Sequence, residues 1–410
     1  MKKLAVYYAG WGERWLLGTL ADNGEDILFE YSAAALSQDL ELSPRHLKLR
    51  AQAYSGFPGH QLRLPGIIAD ALPDGWGLLL MDRLFRKLGK SIAEVSPLDR
   101  LAFIGDRAMG ALTFEPAEPL SLTRDDITLL ELADEAQAVQ RDGEDEAVLR
   151  ELAYLGGSPH GARPKVLVHF SPQSRRVSTL PFEGGEPWLV KFHARGEHKE
   201  VCALEHIYAG LAKACGLDMP ETHDFDLSRN LSGFGVRRFD REGGVRVPVH
   251  TLAGLLHADF RVPGSLDYTT CLRATRFLTQ DAREVHKAYE RAVFNVLFHN
   301  RDDHAKNFAF LLDRDRRWRL APCYDLTFSA GPGGEHQMDV CGEGRNVTRQ
   351  NLLTLAQQAD LDTGWAETVI DRMLDQTHQF EALRKGFALR KSTVAAVVEA
   401  IEGNARNLAR

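Results

Sequence analysis

The run His299-Asn300-Arg301-Asp302-Asp303-His304-Ala305-Lys306-Asn307 constrains this chain more than any other stretch. It crowds acids, amides and basic or imidazole side chains between an apolar helical pattern at 288–298 and an apolar strand pattern at 308–312. Buried polar groups cost free energy unless they are hydrogen-bonded or face a ligand. The fold must therefore carry the chain out of a core helix, present this block at a site, and return to the core as a strand. Residues 308–312, the polar turn 313–316 and the strand 318–320 read as a hairpin that brings Ala321-Pro322-Cys323-Tyr324-Asp325 back to the same end.

The spacing points to one chemistry. Asn300-Arg301-Asp302, four residues and then Asn307 reproduce the protein-kinase catalytic loop apart from its first residue. A carboxylate, Asp302, would accept the proton of an attacking hydroxyl. An amide oxygen five residues on, Asn307, would reach a magnesium ion on the nucleotide phosphates, with Asp325 as the second metal-holding group. Singly, an aspartate or asparagine after a helix is commonly a cap; that does not explain the whole set in order. A metal hydrolase using His299, Asp302, Asp303, His304 and Asp325 is a rival, although the two histidines are five apart and helical metal pairs usually sit four apart.

At 410 residues the chain exceeds the size of a single core, so two or three subdomains are expected. With 44% apolar and 26% charged residues it has an ordinary globular composition, and a net charge of -7 argues against indiscriminate nucleic-acid binding. The five cysteines show no paired metal spacing, and no signal peptide is evident, which implies reduced thiols in a cytoplasm. No apolar run is long enough to cross a bilayer.

Toward the N-terminus, Asn23-Gly24 between apolar runs signals a hairpin. A Leu72-Pro73-Asp74-Gly75-Trp76-Gly77 segment leads into a helix. This part carries no evident catalytic set and reads as a sheet with bracing helices. Two helices are expected within 121–155, the first with a stripe of Leu129, Leu130, Leu132, Ala133 and Ala136, separated by a solvated acidic run at 142–146. Next, Gly156-Gly157-Ser158-Pro159-His160-Gly161-Ala162-Arg163-Pro164-Lys165 suits a phosphate-covering loop: glycine lets backbone N–H groups approach phosphates, and the cations offset their charge. The strand Trp188-Leu189-Val190-Lys191-Phe192 places a lysine among buried neighbours, as the phosphate-contacting lysine of kinases is placed; an edge-strand lysine facing water is the alternative. Glu205 on the next helix is a candidate ion-pair partner. The strand at 234–241 leads toward Gly243-Gly244, offering its backbone to an adenine edge and Phe239 as a cover for the ring. A helical pattern follows it.

Together with Arg238-Phe239-Asp240-Arg241, these blocks resemble the HipA family of serine/threonine-kinase toxins over nearly the whole chain. The resemblance implies an α+β, protein-kinase-like two-lobed fold of HipA type: a β-containing N-terminal subdomain (1–120), a kinase N-lobe-like region with the phosphate loop (121–240), and a mainly helical C-terminal lobe with the catalytic loop (241–410). It implies use of ATP and Mg2+ to phosphorylate a protein, an aminoacyl-tRNA synthetase in known members, in a toxin–antitoxin system that arrests growth. Partners would be a small helix-turn-helix antitoxin and, through that complex only, operator DNA; no membrane is involved. Residue by residue, Asp302 is the catalytic base, Asn307 and Asp325 hold magnesium, Lys191 contacts the phosphates with the loop residues Gly161, Ala162, Arg163 and Lys165, Phe239 lies at the adenine hinge, and Ser158 matches an autophosphorylated serine. Pro159-His160 and Arg163-Pro164 depart from the best-known member. A catalytically silent module that binds antitoxin and operator DNA, with basic residues near Arg384, Lys385, Arg390 and Lys391 touching phosphates, is the other function considered beside the phosphohydrolase.

Overall fold

A computed structural model describes residues 1–117, 127–140, 146–156 and 159–410. The expected boundary at 120/121, Gly157 and Ser158, and residues 142–145 of the acidic run lie outside the described residues. The described chain divides into two compact units, Met1–Cys202 with Thr222–His250, and Ala203–Glu221 with Thr251–Arg410.

In the first unit, β1 (Lys2–Tyr8), β2 (Trp15–Asp22), β3 (Ile27–Tyr31), β4 (Ala53–Tyr54) and β5 (Leu112–Glu115) make an antiparallel sheet in the order β4-β3-β2-β1-β5. Strand alternation puts Leu4, Val6 and Tyr8 on its buried face. The expected turn joins β2 to β3: Gly24 takes a φ of 94°, and the Asn23 side chain accepts from the amides of Glu25 and Asp26. Helix Gly75–Lys87 buries Trp76, Leu80, Met81, Leu84 and Phe85, a helical stripe.

Two helices, Leu129–Val139 and Glu146–Gly156, precede the second sheet. Leu129, Leu132, Ala133 and Ala136 are buried as expected, whereas Leu130 is exposed, because the residue after a buried position points about 100° around the helix. The second sheet consists of β6 (Lys165–Phe170), β7 (Val177–Ser178), β8 (Glu186–Phe192), β9 (Thr222–Asp226) and β10 (Ser232–Arg237), in the order β7-β6-β8-β10-β9. The strand expected at 234–241 ends at Arg237; Phe239 lies in a bend, followed by a small ribbon, Arg241–Glu242 with Val245–Arg246, that turns at Gly243 and Gly244, both with positive φ.

A buried relay also braces this unit. Ser43 Oγ lies 3.0 Å from His250 Nε2, and His250 Nδ1 lies 2.7 Å from Asp70 Oδ2. All three side chains are enclosed, Ser43 at 1% exposure.

The second unit is mainly helical and centred on helix Ala282–Leu297. Its apolar stripe of Val285, Ala288, Tyr289, Ala292, Val293 and Val296 is covered by helices Tyr268–Thr279, Thr363–Leu374 and Lys391–Leu408. The hairpin forms as expected, with Ala309–Leu312 antiparallel to Trp318–Leu320; the Asp313 carboxylate closes its turn by accepting from the amides of Asp315 and Arg317. No described helix is long and apolar enough to cross a membrane.

Candidate active site

The chemistry-bearing residues fall into two sets, one in each unit. In the second unit, helix Ala282–Leu297 ends at Phe298 and His299 reverses the chain at a φ of 55°. The backbone then bridges to Ser329, which receives the amide of Arg301 at 3.3 Å. Arg301 turns inward, donating to the carbonyls of Gly334 and Arg345. Two adjacent acids follow, with opposite fates.

Asp302 presents a side chain that is 52% exposed. Asp303 is fully buried and accepts from Tyr268 Oη at 2.6 Å, from the Gln337 amide at 2.8 Å and, at 2.7 Å, from His336 Nδ1, which donates when it faces a carboxylate. The relay runs further back: Asn300 Nδ2 donates to Asn295 Oδ1 and Asn295 Nδ2 to Tyr268 Oη, both at 2.9 Å. Burial and the Asp303 carboxylate push the Tyr268 hydroxyl well above its ordinary pKa, so it remains a donor. Asn295, Tyr268 and His336 were not singled out from the sequence. The available signal was a polar residue at a core position of an apolar helix, Asn295, five residues before Asn300.

Past Asp303, a 3-10 turn at Ala305–Asn307 brings Asn307 back so that its Nδ2 donates to the Asp302 carbonyl at 2.7 Å. That bond fixes the amide nitrogen and so the direction in which Oδ1 faces. His304 Nε2 lies 3.8 Å from Asp302 Oδ1, and Lys306 sits over the Phe260 ring. Asp325 has a φ of 57°, in the left-handed region that aspartate enters more readily than most side chains. Its approach is anchored by Arg291 Nη2 on the Ala321 carbonyl and by the Cys323 amide on the Asp218 carbonyl, both at 2.7 Å. The oxygens of Asn307 and Asp325 are hard donors of the kind magnesium takes.

The hydrolase constellation does not hold together. Asp303 is committed to three protein donors. His299 stacks on Phe328, and burial, reinforced by Arg301 and His336, lowers its pKa to about 4. Among the described residues no group of three His, Cys, Asp or Glu side chains is placed to hold a metal.

In the first unit, Lys165 and Lys191 are direct cross-strand partners on β6 and β8. They therefore share one face, and both are buried. The register thus sets two lysine side chains next to each other on that face of the sheet. Lys191 also sits over the Phe234 ring at 5.8 Å. Before β6, Gly161 adopts a φ of 101°, as the glycine-rich loop requires, and Lys165 Nζ donates to the His160 carbonyl. Arg163 pairs with Glu197 at 3.0 Å, and Glu197 accepts the Ala194 amide at 2.7 Å, tying the loop to the turn after β8. Ala162 is exposed. Ser158 lies outside the described residues.

Phe239 is half-buried, and Asp240 beside it is enclosed. Burial would raise the Asp240 pKa, but the Arg238 and Arg241 guanidiniums, at 2.8 and 2.7 Å, together with the Gly110 amide, hold it well below the usual carboxylate range. Glu205 is buried on its helix. In the C-terminal basic group, Lys385, Arg390 and Lys391 are exposed and Arg384 pairs with Glu381.

Residues 6–115 match the HipA N-terminal domain and residues 157–381 the HipA-like C-terminal domain. The structure is similar to HipA in the Shewanella oneidensis MR-1 toxin–antitoxin complex of HipA, HipB and operator DNA (17% identity, 98% of this chain and 96% of that one, TM-score 0.71). It also matches, at a TM-score of 0.39, the Helicobacter pylori proinflammatory kinase CtkA (13% identity, 56% of this chain and 90% of that one). No curated protein matches the sequence. The HipA-type α+β fold extends over almost the full length, and with both domains matched the chain belongs to the HipA family.

Proposed function

We propose that this protein is an ATP- and magnesium-dependent serine/threonine-protein kinase and the toxin of a type II toxin–antitoxin pair. The observation that carries this is the division between the two adjacent acids: Asp303 is locked into a buried relay, while Asp302 is held out to solvent beside an amide whose orientation is fixed. A carboxylate so presented has the access a general base needs. In the reaction, Asp302 accepts the proton of a substrate hydroxyl as its oxygen bonds to the γ-phosphorus and the bond to the bridging oxygen of ADP breaks. Lys191 and Lys165, with Gly161, Ala162 and Arg163, hold the phosphates, and Phe239 covers the adenine. Magnesium, taken by Asn307 and Asp325, would neutralise the phosphate oxygens.

The substrate is a protein of the translation machinery such as an aminoacyl-tRNA synthetase, and Ser158 is modified by the enzyme itself. A small helix-turn-helix antitoxin restrains the kinase, in line with the HipB and operator DNA of the Shewanella complex. DNA is reached only through that assembly, in the cytoplasm.

Incubation with γ-labelled ATP and magnesium tests the proposal. Labelled phosphoserine is expected, including on Ser158, and Asp302→Asn should lower the transfer rate by about 10³-fold while nucleotide affinity stays near wild type. Release of free phosphate without protein label would instead indicate a hydrolase. Absence of both would indicate a silent binding module. Expression without antitoxin should arrest growth for the wild type and not for Asp302→Asn.

A further inference from the structure

The segment 72–76 of the N-terminal domain takes hold of the phosphate loop by its backbone. Asp74 stands at the N-cap of helix Gly75–Lys87, where an aspartate ordinarily accepts an amide of its own first turn. It makes no such bond. Its Oδ1 instead accepts the amide of Gly161, and the Trp76 amide of that same helix turn donates to the Gly161 carbonyl at 3.1 Å. Both backbone groups of Gly161 are thus engaged by one helix start. One residue earlier in the loop, His160 Nε2 lies 2.8 Å from the Leu72 carbonyl.

Gly75 completes the fit. Its φ is +38°, and a Cβ there would come within 2.7 Å of the Ala162 Cα and 2.8 Å of the Gly161 carbonyl oxygen. The loop lies directly against this backbone, with no room for a side chain. An Asp-Gly pair that gives up its own cap and accommodates another segment is explained by what it does to that segment.

We propose that Asp74 is a positioning residue for nucleotide phosphates, so that the N-terminal domain forms part of the kinase apparatus. The proposal rests on the kinase reading above. Asp74 touches neither ATP nor the reacting atoms; it fixes the peptide of Gly161 so that the loop approaches the phosphates in one conformation and without ordering cost.

The test is equilibrium binding of Mg-ATP and of adenosine to the full chain, for wild type, Asp74→Ala, Asp74→Asn and Gly75→Ala, together with each variant's kcat and KM. Loss of one charge-assisted anchor should weaken Mg-ATP binding about tenfold in Asp74→Ala. Adenosine, which has no phosphates, should bind that variant as it binds wild type. Asp74→Asn keeps an acceptor oxygen and should recover most of the affinity, whereas Gly75→Ala should resemble Asp74→Ala. The loss should appear in KM, with kcat little changed. An equal loss for adenosine and Mg-ATP would overturn the proposal, since the residue would then merely support the fold. Unchanged Mg-ATP affinity in folded Asp74→Ala or Gly75→Ala would overturn it too. Tighter binding would also do so, by making Asp74 a competitor for the Gly161 amide. If Asp74→Ala does not fold, Asp74→Asn and Gly75→Ala still decide, because the first must stay near wild type and the second must lose ATP without losing adenosine. Should wild type bind no Mg-ATP at all, the kinase reading itself fails, a result distinct from each of these.

Discussion

The polar loop at 299–307 and the glycine-rich loop before β6 carry comparable polar loads and are held in contrasting ways. Around Asp302, buried side chains drawn from 268–337 are hydrogen-bonded one to the next from Asn300 to His336. Around Gly161, backbone groups are held by residues almost ninety positions earlier in the chain. A side-chain network fixes one geometry because each member left unpaired is costly. Backbone docking leaves a loop that can be released by losing a few bonds.

The sharpest way to break this comparison is Asp303→Ala. It strands the Tyr268 hydroxyl, the His336 ring and the Gln337 amide in the core, and urea unfolding should show a loss of about 3 kcal/mol. A loss under about 1 kcal/mol would mean the network does not hold the loop.

Lys191→Met probes the other region. For the wild type, Mg-ATP at a hundred times its Kd should raise unfolding stability by about 2.7 kcal/mol. At the same nucleotide concentration the variant should show almost none of that gain in thermal or urea melts, and an undiminished gain would remove the lysine pair from the phosphate site.

A third test separates the loops by pH. Folded His299 titrates at about 4, below the ordinary histidine value of 6.5, so between those values the unfolded chain binds a proton that the folded chain excludes. Stability should therefore fall as pH drops from about 6.5 to about 4, with the full penalty present below that window. Asparagine tolerates the positive φ, so His299→Asn should flatten this part of the pH–stability curve while leaving Mg-ATP affinity near pH 7 unchanged. An identical slope in both proteins would assign the acid sensitivity elsewhere.

The same contrast governs what could be read from the sequence. The helix, hairpin and polar block of the second unit were legible because their periodicities and turn residues lie next to one another in the chain. The Asn23-Gly24 hairpin and the strand carrying Lys191 were legible for the same reason. The different uses of Asp302 and Asp303 were not, since adjacent identical side chains differ only in what the returning segment at 336–337 offers them. Nor was the hold of Asp74 on Gly161: its residues looked like an ordinary helix start, and only folding brings the two segments together. The strand expected through Phe239 is longer than the one observed, because the sequence gives no sign that Arg238 and Arg241 converge on Asp240.

The relay of Ser43, His250 and Asp70 bears on how enzymes are recognised by shape. Its atoms stand in the order and at the spacings by which a three-residue template scores a serine hydrolase. Yet the serine is sealed from solvent, and no acyl group could approach its hydroxyl without opening the core. A template that weighs distances alone would assign this chain an esterase; one that also asks whether a substrate can arrive would pass over Ser43.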